Sequence, residues 1–243
     1  MHERIPRVMD PVVIGRMMDH TACRLDSVDD AWHVLCASVS SVAWRGHSIL
    51  KNQFDLARYF YLIENLRPEV IVETGLQSGG SVLFFLDALA MLGMLDTRYI
   101  GIDLDATRAL AAVEQYRSDW PAMFISADCL ADATIREVTP YLAGRCALVV
   151  LDSVHSEEHV TEELRRYAPL CSAGSRLVVE DTDHGGRPVL KNYGPSAAEA
   201  VEKFMADGGP GQELGFAYDR EVEGRFGPFT NSKSGWLVRR GGE

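Results

Sequence analysis

Five short runs rich in valine and isoleucine, most of them closed by an acidic residue, constrain this chain more than any other feature. They cover residues 70–73, 99–103, 122–126, 147–152 and 176–180. Longer amphipathic stretches at 81–92, 106–116, 131–141 and 157–167 separate them. Continuously apolar strands are buried on both faces, so strand and helix in alternation predict a parallel sheet covered by helices on both sides. Ahead of this pattern, residues 1–65 read as helical. The spacing is clearest at Leu56, Tyr59, Phe60 and Ile63, and Pro68 ends it. After the pattern come a helix at 196–205 and strand-like runs at 213–222 and 235–239, whose short link predicts an antiparallel pair.

Hydrophobic residues make up 47% of the 243 positions and charged residues 24%, the profile of an ordinary globular protein with one large core. The order of elements is that of an α/β, Rossmann-like class I methyltransferase, with a mostly parallel seven-stranded sheet and a C-terminal antiparallel hairpin. Such sheets host many functions, so the layout alone does not name one. The net charge of −11 argues against a nucleic-acid partner, which needs a basic face. No apolar run approaches the ~20 residues that span a bilayer. The charged, proline-containing N-terminus lacks the apolar core of a signal peptide, so a cytoplasmic location is expected. Cys23, Cys36, Cys129, Cys146 and Cys171 contain no CxxC pair, which predicts free thiols rather than a disulfide framework or a structural zinc site.

Acids fall at the strand ends: Glu73, Asp103, Asp128 just past the third run, Asp152, and Glu180 with Asp181. Ligands of open α/β sheets bind at those carboxyl ends. Any one acid there could simply cap the next helix. Acids at all five strand ends together would repel one another unless a cation or a donor-rich ligand sits among them. The segment from Glu73 to Ser81 (ETGLQSGGS) has neither the GxGxxG spacing of dinucleotide sites nor a P-loop lysine. An acid before a glycine loop suits a ligand with a cationic amino group and no pyrophosphate, as in S-adenosylmethionine. On this reading Glu73, Gly75, Ser78, Gly80 and Ser81 surround that end of the cofactor, with Asp152 beside them. Asp103 accepts from the ribose hydroxyls, and Asp128 reaches the adenine amino group. Asp152, Glu180 and Asp181 offer three hard oxygen ligands for Mg²⁺ or Mn²⁺. Adjacent strand residues point to opposite faces, so Glu180 and Asp181 share an ion only if the strand breaks there.

Further pieces give a resemblance: Trp44-Arg45-Gly46 with Lys51 and Asp55; residues 67–75 with 78–81; Gly101-Ile102-Asp103; residues 151–156 with His159, Val160, Glu163 and Leu164; Glu180 to Thr182; Gly194-Pro195; and Asn231 with Gly235. In combination they resemble the cephalosporin hydroxylase/rhamnosyl O-methyltransferase family from about residue 44 onward. The resemblance implies methyl transfer to a hydroxyl of a sugar, such as a nucleotide-linked rhamnose, or of another natural product, with a phenol or β-lactam as the alternative acceptor. It also implies a divalent metal at Asp152, Glu180 and Asp181, and it sets Trp44, Arg45 and Lys51 over the cofactor or acceptor. A homo-oligomer assembled through N-terminal helices follows too, with residues 1–66 as the helical segment and 67–243 as the methyltransferase domain.

The cofactor supplies the electrophile, so the protein must align the acceptor oxygen and remove its proton. His155 lies three residues after Asp152, the offset at which metal-dependent catechol-type methyltransferases, by resemblance, place a basic side chain. An ordinary imidazole titrates near pH 6.5, which suits a general base. Asp152 and His155 are therefore the expected catalytic pair. His184, in a loop over 182–195 long enough to form a lid, is the alternative base, and His159 a candidate substrate contact. A competing reading makes His155, Glu157 and His184 a non-haem iron triad. A dehydrogenase or a non-catalytic binding protein are the others. Trp236 reads as core.

Overall fold

The computed structural model describes residues 42–117, 120–185, 190 and 192–241. Seven strands form one sheet: β3 (Val70–Thr74), β4 (Arg98–Asp103), β5 (Ala122–Ser126), β6 (Ala147–Leu151), β7 (Arg176–Val179), β8 (Phe216–Tyr218) and β9 (Trp236–Arg239). Their order is β5-β4-β3-β6-β7-β9-β8. β3 and β6 lie at the centre and every residue of both is buried, which is why residues 70–72 and 147–151 read as unbroken apolar runs. The five strands β3 to β7 are parallel, and β9 runs antiparallel to both β7 and β8.

Side chains alternate across each strand and split the core in two. Val70, Val72, Ile100, Val149 and Leu151 face α4 (Asp132–Leu142), α5 (Glu157–Tyr167) and α6 (Ala197–Met205). Ile71, Tyr99, Leu148 and Val150 face α1 (Gln53–Leu66), α2 (Gly80–Met91) and α3 (Thr107–Tyr116). Strand order reverses between β3 and β6, and this switch point opens a crevice at their carboxyl ends.

Two expectations are corrected. Residues 42–52 are not helical. Ala43–Trp44 (β1) and His47–Ser48 (β2) form a hairpin closed by Arg45 and Gly46, both at positive φ as a two-residue type I′ turn requires. The expected strand at 213–222 shrinks to β8, flanked by the short helices α7 (Pro210–Glu213) and α8 (Arg220–Gly224). The link to β9 is therefore long, and β9 inserts between β7 and β8. The helices expected within residues 1–41, and the assembly assigned to them, fall outside the described residues. Among the described residues no helix is long and apolar enough to cross a membrane.

Candidate active site

The crevice is built by close backbone approach. Gly75 follows β3 at φ +80°, and a Cβ there would clash with the Asp152 carbonyl oxygen, so only glycine lets the two loops meet. The Asp103 carboxylate holds the loop's shape by accepting from Leu76 N (2.8 Å), Gln77 N (3.3 Å) and Asp105 N (2.9 Å). Ser78 and Gly80 serve the hairpin instead of the cavity. Ser78 Oγ donates to Ser48 O (2.8 Å), and a Cβ on Gly80 would displace the same strand. Trp44 and Arg45, expected over the ligand, fasten the hairpin to Asp87 on α2 at 2.8 and 2.5 Å, and Arg117 joins them at 2.7 Å.

The docked hairpin delivers Lys51. Asn52 caps α1 by accepting from Phe54 N and Asp55 N, both at 2.9 Å, and its amide donates to Asp55 and Asn231. Lys51, one residue earlier, is thereby fixed with its side chain 1% exposed. Its Nζ lies 2.5 Å from Asp152 Oδ2, 3.2 Å from Glu180 Oε1 and 3.8 Å from Glu73 Oε1. Burial by itself pushes the ammonium down, but Asp152, Glu180 and Glu73 outweigh it and hold Lys51 well above its ordinary value. Burial raises Glu73 against the pull of Lys51, and it raises Asp152 too, with Glu180 and Asp181 adding to the push. Tyr59 and Tyr99, whose phenols burial keeps protonated, donate to Glu180 and Glu73. One ammonium thus faces three buried carboxyl groups beneath the crevice.

The strand does break after Glu180. Glu180 N still donates to Leu151 O (3.0 Å), whereas Asp181 sits at φ +56° and turns out of the sheet. The two acids therefore separate. Glu180 points inward to Lys51, Tyr59 and Ser232, while the Asp181 carboxylate lies 3.1 Å from His155 Nε2 and 3.8 Å from His184 Nε2. The donor atoms of Asp152, His155 and Asp181 lie within 4.8 Å of one another. Glu180, expected beside Asp152 and Asp181, is not in that group. His155 stands just outside α5 because Ser156 is its N-cap, accepting from His159 N (3.4 Å).

A cavity of about 360 Å³ opens above these groups, lined by Gly75, Ser81, Asp103, Asp152, His155 and Asp181 among others. The remaining expected residues lie elsewhere. Glu73 is fully buried behind Lys51, and Lys51 is taken up by acids rather than free for substrate. Asp128 is exposed, accepts from Leu130 N (2.8 Å) and does not line this cavity. His159 turns away to Ser153 Oγ (2.9 Å). His184 packs behind Asp181, its imidazole lowered by burial. Glu157 pairs with Lys203, so the iron triad does not form. Tyr59, Tyr99 and Ser232 escape sequence reasoning because their spacing marks only a packed face, and the tyrosines' polar tips are invisible in it. A second cavity, about 530 Å³, lies at the amino-terminal edge of the sheet among Arg67, Glu69, Arg98 and Arg145, far from the strand-end acids.

The family model described as "Rhamnosyl O-methyltransferase/CmcI" matches residues 36–240. The chain belongs to this family. Rhamnosyl O-methyltransferases of Mycobacterium leprae (strain TN) and Mycobacterium bovis (strain BCG / Pasteur 1173P2) are 30% and 31% identical to it. The matches cover 83% and 82% of this chain and 84% and 79% of theirs. A CmcI structure described as Mg-SAM shares the fold with a TM-score of 0.60 at 22% identity, covering 83% of this chain and 78% of that one. An apo CmcI structure does so at 0.59 and 21%, covering 100% and 91%. The family's sheet is that of the class I methyltransferases, in agreement with the observed strand order.

Proposed function

We propose that this protein transfers a methyl group from S-adenosylmethionine, held in the β3–β6 crevice, to a hydroxyl of a sugar, a deoxysugar such as rhamnose being the first candidate. Family membership makes it an S-adenosylmethionine-dependent O-methyltransferase. The acceptor, the residues and the metal are the inference. The reading is carried by one observation: the Gly75 loop, Asp103, Asp152, His155 and Asp181, remote in sequence, converge on one cavity. The mycobacterial relatives carry rhamnosyl in their names, and CmcI has been solved as a Mg-SAM form.

In this reading the Gly75 loop and Asp103 face the cofactor's amino-acid and ribose parts. The acceptor oxygen attacks the sulfonium methyl in line, the carbon–sulfur bond breaks, and S-adenosylhomocysteine leaves. Asp181, 3.1 Å from His155 Nε2, holds that nitrogen as the N–H, orients the imidazole and stabilises its cationic form, so the hydroxyl proton goes to the other ring nitrogen, Nδ1. Lys51 and Tyr59 hold Asp152 and Glu180 in place. The donor chemistry fits a hard divalent ion: Asp152 and Asp181 bring carboxylate oxygens within 4.8 Å of each other. Mg²⁺ or Mn²⁺ held by them would stabilise negative charge developing on the acceptor oxygen.

The test is transfer of labelled methyl from S-adenosylmethionine to rhamnose-bearing and phenolic acceptors, with Mg²⁺ titrated after chelation. Turnover on the sugar should need the metal, and His155→Ala should lower it by ~10²–10⁴. A loss under threefold would remove His155 from the role of base, and transfer to the phenol alone would overturn the sugar assignment.

A further inference from the structure

Beneath the crevice, Cys129, Ser153, His159 and Glu163 meet. Cys129 comes from the loop between β5 and α4, Ser153 from the loop after β6, and His159 and Glu163 from one face of α5 at i, i+4 spacing. Cys129 Sγ is 3.7 Å from His159 Nε2 and 3.6 Å from Glu163 Oε1, and those two atoms are 4.0 Å apart. A triangle with these edges has a centre about 2.2 Å from each corner, and zinc bonds to sulfur, imidazole and carboxylate at ~2.0–2.3 Å. Ser153 Oγ lies to one side, 2.9 Å from the imidazole, 2.8 Å from the carboxylate and 3.8 Å from the sulfur. That places it about 2.3 Å from the same centre, where the hydroxyl that donates to Glu163 Oε1 is also within reach of an ion as a neutral fourth donor.

The surroundings are those of a built site. Thr74 Oγ1 donates to Glu163 Oε1 (2.7 Å), and Tyr167 OH donates to the Cys129 carbonyl (2.9 Å), so two ligands are held from outside. Glu163 is fully buried with its Oε1 turned to Cys129, Ser153 and His159, and a buried carboxylate is costly unless donors or a cation stand beside it. His159 also lines an open cleft with Leu130, Val154 and Pro195, a route in for an ion.

The geometry points to a second, structural metal site at Cys129, Ser153, His159 and Glu163 that takes Zn²⁺. Thiolate and imidazole prefer this borderline-soft ion to Mg²⁺. Binding forms the sulfur–metal bond and releases the Cys129 thiol proton to solvent. Thiolate and carboxylate then balance the two charges of the ion. With four protein donors the site is closed, so its work is mechanical: it clips the loop carrying Asp152 and His155 to α5 and to the β5–α4 loop. The site stands independently of the methyl-transfer reading.

The experiment uses Co²⁺ as the probe, added to the chelator-stripped full chain with Mg²⁺ in excess. One equivalent should produce a near-ultraviolet thiolate-to-cobalt charge-transfer band, together with a rise in melting temperature. Cys129→Ser should lose the band, Asp181→Asn should keep it, and Thr74→Val should weaken Co²⁺ binding by ~10–100-fold. If Cys129→Ser does not fold, His159→Gln, at a partly exposed position, should weaken binding by about 100-fold. Absence of the band in the unaltered protein, its survival in Cys129→Ser, or unchanged affinity in His159→Gln would overturn the site.

Discussion

Lys51 is the residue on which the site's electrostatics turn, because one buried ammonium serves three carboxylates. Its removal leaves charges in a medium that cannot solvate them, and breaking a buried pair in this way costs ~3–5 kcal/mol. Lys51→Met should therefore lower stability by about that amount, read from urea denaturation. The loss should be larger at pH 8 than at pH 5, because unpaired buried carboxyls are raised in the folded state and take up protons at the lower pH. Asp55 gives a second pH signature. Burial, with Glu180 adding to it, pushes its carboxyl up to about 7, against donors from Thr230, Asn231 and Arg58. An acid whose folded value exceeds its unfolded value of ~4 stabilises the fold at low pH and loses that contribution as pH rises through 7. Stability should fall between about pH 4 and pH 7, and Asp55→Asn should flatten the slope. Residue types at strand ends were legible: Asp103, Asp152 and Asp181 do reach the cavity. The inward turn of Glu73 and Glu180 was not, because it depends on a lysine and two tyrosines supplied by other elements.

Among the elements, the β1–β2 hairpin and the Gly75 loop interlock. Gly75→Ala would set a methyl against the Asp152 carbonyl at a left-handed backbone position and should cost about 2–4 kcal/mol. Calorimetry with S-adenosylhomocysteine should show binding lost along with it. Gly80→Ala should act through the hairpin, pushing Ser48 away and freeing Lys51, with weaker loss of binding. Helices with clear 3.6-residue spacing were legible to within about a residue at each end, as α5 and α6 illustrate. The hairpin was not, because its two-residue strands are too short for any period to register and its turn is marked only by Arg45-Gly46. The 213–222 run misled for a related reason: alternating apolar residues fit either a strand or the edges of two short helices.

At the scale of the molecule, the reversal of strand order between β3 and β6 makes one crevice out of loops that begin 77 residues apart at Gly75 and Asp152. A ligand seated there should stabilise the whole fold. S-adenosylhomocysteine at a hundred times its Kd should add ~2.7 kcal/mol, and Asp103→Ala should abolish the thermal shift by loosening the loop and removing the carboxylate proposed to accept from the ribose. The alternation of apolar runs and amphipathic stretches sufficed by itself to determine a parallel α/β sheet and the acids at its rim, since strand burial and helix periodicity are local properties of the chain. Tertiary structure alone decided which acids meet. Asp152, His155 and Asp181 face one another while Glu180 turns to Lys51, and Cys129 joins His159 and Glu163. Distances between side chains from different elements are set by packing and backbone breaks, such as that at Asp181, which no local spacing encodes.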